Sequence, residues 1–406
     1  MKEGTIDAIA DWTIRTGLAG ISETELLNEF CERCNRAGMS LSRVLALMDT
    51  LHPVYEGRAF RWRNDGVDEE ALLEYRPTIK GDNEQAWLQS AFYHLMSTGN
   101  EEVRRRIGHG DPTDFLYLDK MKGEGYTDFV ALAHRFSSAG VIGEMDCFYS
   151  HWATKGADGF SELDMSTLRR LAPALGLAIK CASLARIAGT LVEVYLGRDA
   201  GQRVLSGRIS RGVADKIQAV LWYSDLRGYT SITDSAPPSE IIPLLNDYAE
   251  LVIEAVHGAG GDVLKLIGDG VLAIFNTENP AEDCRNALHA EQTLRASLAA
   301  LNARRATAGR PVTSVYLGLH IGEVFYGNIG SEERLDFTVV GPAVNEVSRI
   351  AAMCRSADRS VLLSREFVAA TPERQRADLV SVGRYALRGV GRAQELFTVD
   401  PTAAAQ

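Results

Sequence analysis

Two acidic residues frame the chemistry available to this chain. Asp225 lies in WYSDLRGYT and Asp269 in KLIGDG, each at the end of a strand-like run. Alone, either would read as a turn or capping residue. Carboxylates that converge repel unless a cation joins them, and hard divalent ions with oxygen ligands are the usual solution. Gly268 and Gly270 would let backbone and carboxylate approach such a centre without side-chain obstruction. After Asp225, LRGYTSIT reads as a loop entering a helix, where free backbone N–H groups could cradle phosphates. Asn345 and Arg349 are four apart in a helical pattern and so share one face.

The bulk composition limits what surrounds these groups. At 406 residues the chain suits two domains and a connector, and 46% hydrophobic content supplies real cores. A net charge of −11 argues against general nucleic-acid binding, which needs a basic footprint, but leaves room for a small phosphate ligand. The opening MKEGTIDAIADW lacks the apolar core of a signal peptide. The longest nearly unbroken apolar stretch, Leu171–Ile179, falls short of the ~20 residues of a membrane helix. A cytoplasmic protein without membrane insertion is expected. Cys31 and Cys34 form a CxxC inside the helical pattern ETELLNEFCERCNRAG, and no second pair or nearby histidine completes a zinc set. That pair reads as structural.

The positioning elements fall into three segments. Residues 1–176 open with two helical patterns, the Ser-x-x-Glu start of ISETELLNEFCERC and MSLSRVLALMDTL ahead of Pro53. GRAFRWR, YTDFVALAHRF and EMDCFYSHWAT read as strands, NEQAWLQSAFYHLMSTG as one helix, and GFSELDMSTLRRLAPALGLAIKCA as a capped helix. This mixture indicates an α+β or α/β module. Residues 177–215 form a helical connector. Leu177, Leu184 and Leu191 recur every seven residues, Ile187 and Val194 fill alternate seam positions, and Lys180 is the misfit. The pattern fits a coiled-coil-like dimer seam or a last helix packed on its own sheet. Residues 216–400 run strand, helix, strand, strand, helix, strand, the split βαβ or ferredoxin-like order, with a further helix and C-terminal strands. In that topology the first strand lies beside the hairpin, so Asp225 and Asp269 converge across 44 positions of sequence.

SDLRGYT, KLIGDG and DFTVVGPAVNEVSR, in this order and spacing, resemble the class III nucleotidyl cyclase catalytic domain, the family of adenylyl and guanylyl cyclases, from about Lys216 to Asp400. The resemblance implies two metal-binding aspartates, Asp225 and Asp269, with the Leu226 carbonyl as a further ligand to Mg2+ or Mn2+. It implies a phosphate loop at Gly228, Tyr229 and Thr230, and a base-reading pair at Lys265 and Thr338. It makes Asn345 the ribose-orienting residue and Arg349 the one that stabilises the transition state. Lysine and threonine at the reading positions suit adenine, whose N1 accepts a hydrogen bond and whose exocyclic amine donates one, so ATP is favoured over GTP. The implied assembly is a homodimer with active sites at the interface, joined through the cyclase domains and connector helix. Pro342 and Gly270 depart from the family's usual residues, and Arg388 in YALRGVGR aligns loosely with a triphosphate contact. A catalytically inactive nucleotide sensor, or a cyclase of GTP or a pyrimidine triphosphate, are the competing readings. No GG[DE]EF sequence is present, which disfavours a diguanylate cyclase.

The N-terminal half resembles a GAF-type sensory domain, mainly in its last strand and the GFSELDMSTLRRLAPALGLAI helix. That likeness implies a small ligand whose identity the sequence does not name. His94, His109, His134 and His151 lack a supporting haem motif and read as core or surface histidines.

Overall fold

The computed structural model describes residues 1–77, 82–137 and 141–400. The chain divides into two compact units, Met1–Leu191 and Val192–Gln406.

The first unit begins with α1 (Glu3–Leu18) and α2 (Glu23–Arg36). Ser22 caps α2 as its sequence suggests, accepting from the Glu25 N–H at 3.3 Å and donating to the Glu25 carboxylate at 2.7 Å. Leu26, Leu27, Phe30, Cys31 and Cys34 fall on one buried stripe of the helix, so the CxxC cysteines are core residues. Strands β1 (Arg43–Asp49), β2 (Gly57–Arg63) and β3 (Leu72–Tyr75) follow. The helix expected over MSLSRVLALMDTL is therefore wrong. Val44, Ala46 and Met48 alternate inward, and hydrogen-bonded neighbours on both sides of β1 select the extended form of a run whose apolar residues fit either period.

Next come α3 (Asp82–Leu88), α4 (Ala91–Thr98), β4 (Glu102–Arg105), α5 (Leu118–Gly123), β5 (Asp128–Arg135) and β6 (Cys147–Thr154). The single helix expected over NEQAWLQSAFYHLMSTG is broken in two because the Ser90 hydroxyl accepts from the Tyr93 N–H at 3.1 Å and starts a new helix. The sheet order is β3-β2-β1-β6-β5-β4, and every pair is antiparallel. The long helix α6 (Glu162–Leu196) packs Leu168, Leu171, Leu175, Ile179 and Ile187 with α1 and α2 against one sheet face, beside Trp62, Phe148 and Trp152. On the other face Phe92 and Leu95 of α4 meet Leu118 and Met121 of α5 over Phe129 and Tyr149.

Of the heptad leucines, Leu184 and Leu191 pack on this unit's core, whereas Leu177 and Val194 are exposed. Among the described helices α6 is the one long and apolar enough to cross a membrane, although the sequence shows only nine nearly unbroken apolar residues there. Its inward stripe is spent on the core just described. The four histidines are dispersed. His134 sits against Phe148 on one sheet face and His151 stacks on Phe92 on the other. Burial, then Arg43 and Arg61, lower the His151 pKa to about 3, so it stays neutral.

The second unit contains α7 (Arg198–Leu205), the long strand β7 (Ala214–Leu226), α8 (Tyr229–Ser235), α9 (Pro238–Gly258), the hairpin β8 (Asp262–Ile267) and β9 (Gly270–Phe275), α10 (Pro280–Thr307) and β10 (Val315–Gly330). It closes with β11 (Leu335–Val340), α11 (Pro342–Ala357), β12 (Val361–Ser364), α12 (Arg365–Ala370), α13 (Glu373–Arg376), β13 (Leu379–Tyr385) and β14 (Gln394–Val399). The sheet runs β13-β14-β12-β10-β7-β9-β8, with β11 paired to β10. β7 is thus flanked by β10 and by the hairpin, as the split βαβ order requires. Helices α9 and α10 cover the face carrying Val220 and Trp222, while α7 and α11 cover the face carrying Ala219 and Leu221.

Candidate active site

The register of β7 on β9 places Ser224 opposite Val271, which brings the end of β7 to the turn between β8 and β9. There the Leu226 N–H donates to both carboxylates, to Asp225 Oδ1 at 3.2 Å and to Asp269 Oδ2 at 3.3 Å. One amide proton held between two acids is direct geometric proof of their convergence. Neither acid has a lysine or arginine within ion-pair distance among the described residues. Burial, then the hydrogen bond and charge of Asp269, raise the Asp225 carboxyl from 3.8 to about 6. This all-oxygen pair, without a lysine or arginine partner among the described residues, fits hard divalent cations. The two acids, Leu226, Gly268 and Gly270 line a cavity of about 170 Å³.

The glycines beside Asp269 have separate reasons. Gly268 turns the hairpin at φ +63°, a left-handed conformation that side chains resist. At Gly270 a Cβ would lie 3.0 Å from the Tyr223 hydroxyl and 3.2 Å from the Ile267 and Ser224 carbonyl oxygens. The Tyr223 hydroxyl and these two carbonyls leave little room for a side chain at 270. Pro342, the other departure, opens α11, where a missing N–H costs nothing.

Gly228 precedes α8, and among the described residues no side chain caps that helix, which leaves its first N–H groups without a side-chain acceptor. Thr230 is exposed, whereas Tyr229 packs its ring partly against the α9–α10 core. Any role of Tyr229 toward phosphate therefore falls to its backbone.

Lys265 lies exposed on β8 and forms an ion pair with Asp336 on β11. Asp336 and Thr338 alternate with the buried Phe337 and Val339, so they share the face that meets Lys265. Asp336 is not among the residues that the sequence singles out. Only the proximity of β11 to β8 reveals its contact.

Asn345 and Arg349 lie together on α11 and line a wide cleft of about 630 Å³ with Gly341, Pro342, Glu346 and Gly389. A Cβ on Gly389 would sit 3.3 Å from the Arg349 guanidinium, so the loop between β13 and β14 forms the opposite wall. Arg388 is exposed on that loop. Within one chain, Asn345 and Arg349 do not line the cavity of Asp225 and Asp269.

Comparison with known proteins agrees with this second unit. Residues 214–400 match the family described as the adenylate and guanylate cyclase catalytic domain. The chain is 36% identical over 164 residues to an adenylate cyclase of Anabaena cylindrica, covering 39% of this chain and 32% of that protein. It is 31% identical over 170 residues to adenylate cyclase 1 of Rhizobium meliloti, covering 40% of this chain and 25% of that protein. The chain thus spans about a third or less of the length of these relatives. Among solved structures, the adenylyl cyclase CyaB from P. aeruginosa aligns at 23% identity and a TM-score of 0.42, over 46% of this chain and 95% of that one. The guanylyl cyclase Cya2 aligns at 26% identity and a TM-score of 0.41, over 46% of this chain and 93% of that one. Residues 214–400 thus match the adenylate and guanylate cyclase catalytic-domain family, with bacterial adenylate cyclases among the relatives of this segment.

Proposed function

We propose that the chain is an adenylyl cyclase that converts ATP to 3′,5′-cyclic AMP and pyrophosphate at a homodimer interface. The observation that carries this reading is the single Leu226 N–H shared by Asp225 and Asp269. These carboxylates, with the Leu226 carbonyl, would hold two divalent cations, Mg2+ or Mn2+. When bound, such ions supply Lewis acidity that favours an ionised ribose hydroxyl and neutralises phosphate charge.

The chain's own residues account for the rest. The ribose 3′-oxygen bonds to the α-phosphorus, the bond from that phosphorus to the pyrophosphate oxygen breaks, and the hydroxyl proton passes to solvent. Asn345 orients the ribose, and the Arg349 guanidinium forks onto α-phosphate oxygens as they gain charge. The backbone at Gly228, Tyr229 and Thr230 faces the terminal phosphates. Lys265 donates to adenine N1, and Thr338 accepts from the exocyclic amine. Asp336, an acceptor suited to guanine N1–H, is already engaged by Lys265, which supports ATP over GTP. Because one chain keeps its two sets of residues in separate cavities, a complete site draws one set from each of two protomers. The exposed Leu177 and Val194 of α6 would extend that pairing along the connector.

The first unit, antiparallel and flanked by helices, is compatible with a GAF-like sensory module that binds a small ligand and regulates the cyclase. We place the protein in the cytoplasm. Incubating the purified full chain with ATP or GTP and either cation tests the reading. Cyclic AMP from wild type and none from Asp269→Ala, with the dimer intact, is expected. Failure to form any cyclic nucleotide would favour the inactive nucleotide sensor, and faster turnover of GTP would refute the base assignment.

A further inference from the structure

His320, Glu346 and Glu366 come from three elements, β10, α11 and α12, away from the aspartate pair. One donor atom from each lies within 4.8 Å of the other two. The His320 ring is buried, and its Nδ1 is 2.8 Å from the Ser364 hydroxyl. That hydroxyl also accepts from the Phe367 N–H at 3.1 Å, so the cap of α12 fixes its position. With Nδ1 engaged, Nε2 is the nitrogen that faces Glu346, 3.8 Å from Oε2. The gap is too long for a hydrogen bond. It is within the span of two donors on one ion when each bond is about 2.0–2.2 Å.

The surroundings support a ligand role. The far oxygen of Glu346, Oε1, accepts from the Gln394 amide, just as the far nitrogen of His320 is engaged by Ser364. Cation ligands are commonly oriented in this way, through the atom that does not bind the ion. Neither glutamate has a lysine or arginine within ion-pair distance among the described residues. Two carboxylates and an imidazole therefore face one another without a lysine or arginine to balance the acids among the described residues. Glu366 is exposed and gives an ion a route in from solvent.

We infer that His320, Glu346 and Glu366 bind one Zn2+ ion, at a site separate from the Asp225–Asp269 pair. One imidazole and two carboxylates suit zinc better than magnesium, which prefers oxygen ligands and retained water. The ion ties α11 to β10 and α12. Because Glu346 is the neighbour of Asn345 and three residues from Arg349, zinc holds that part of α11 in place. An effect on turnover rests on the proposed roles of Asn345 and Arg349, but zinc binding does not.

The test titrates chelator-stripped full-length protein with Zn2+ alone, by calorimetry and metal analysis, and with Co2+ by visible spectroscopy. One zinc per chain is expected in wild type, with a raised Tm, and also in the Asp225→Asn/Asp269→Asn variant. Glu366→Gln changes an exposed side chain and should weaken zinc at least 10-fold, as should Glu346→Gln. The Co2+ spectrum should lack thiolate charge-transfer bands, which separates this site from Cys31 and Cys34. Zinc lost with the aspartate pair, retained at full affinity in both glutamate variants, or bound through thiolate would each overturn the inference.

Discussion

Replacing Asp225 by asparagine should make the cation-free protein more stable while abolishing turnover. The folded carboxyl titrates near 6 rather than 3.8, first through burial and then through Asp269. Because the folded value is the higher one, the folded state takes up a proton first as pH falls. The penalty of the ionised group is therefore absent below pH 3.8, grows between the two values and is complete above about 6. The rise from 3.8 to about 6 corresponds to about 3 kcal/mol for a fully buried group. Asp225 is half-buried, and solvent screening reduces this to roughly 1–1.5 kcal/mol. For a unit of this size, that raises Tm by roughly 2–6 °C. Asparagine keeps an oxygen for the Leu226 N–H, so no donor is orphaned. Scanning calorimetry of the full chain in chelator, across this pH range, reads the effect. Added Mg2+ or Mn2+ should then stabilise wild type and leave the variant unchanged. A variant less stable than wild type above pH 6, or a difference that persists undiminished below pH 4, would refute the reasoning.

Gly270→Ala forces a Cβ against two backbone carbonyls that cannot retreat, and should cost roughly 1–3 kcal/mol in urea denaturation. Asp336→Asn breaks an ion pair whose side chains are both 43% exposed, so Tm should barely move. Its KM for ATP should rise several-fold because Lys265 is no longer aimed, and an unchanged ATP-to-GTP preference would count against that role. Arg349→Lys keeps the charge but loses the fork, and kcat should fall about 10²–10³-fold with KM nearly constant, measured by cyclic AMP formation.

The convergence of Asp225 and Asp269 was legible because each ends a strand and the alternation of strands and helices restricts the topology to very few sheets. Arg349 and Asn345 were legible as a pair because four residues make nearly one helical turn. Lys265 and Asp336 were not, since their contact depends on where β11, hydrogen-bonded to β10, passes β8. No local pattern encodes that distance. The strand at Arg43–Asp49 was misread for a related reason: its apolar residues satisfy two periods, and only its neighbours β2 and β6 choose between them. Gly270 shows a third kind of limit. Its flexibility looked like an adaptation to a cation, while the atoms that crowd a larger residue are the Tyr223 hydroxyl and the Ile267 and Ser224 carbonyl oxygens.

The distribution of the acids and of Asn345–Arg349 between different cavities makes abundance itself a control variable. Under the proposed assembly an isolated chain is chemically mute, and signal output at low copy number grows with the square of the number of chains. Dilution would silence the protein without any ligand, and a modest increase in expression would amplify it disproportionately.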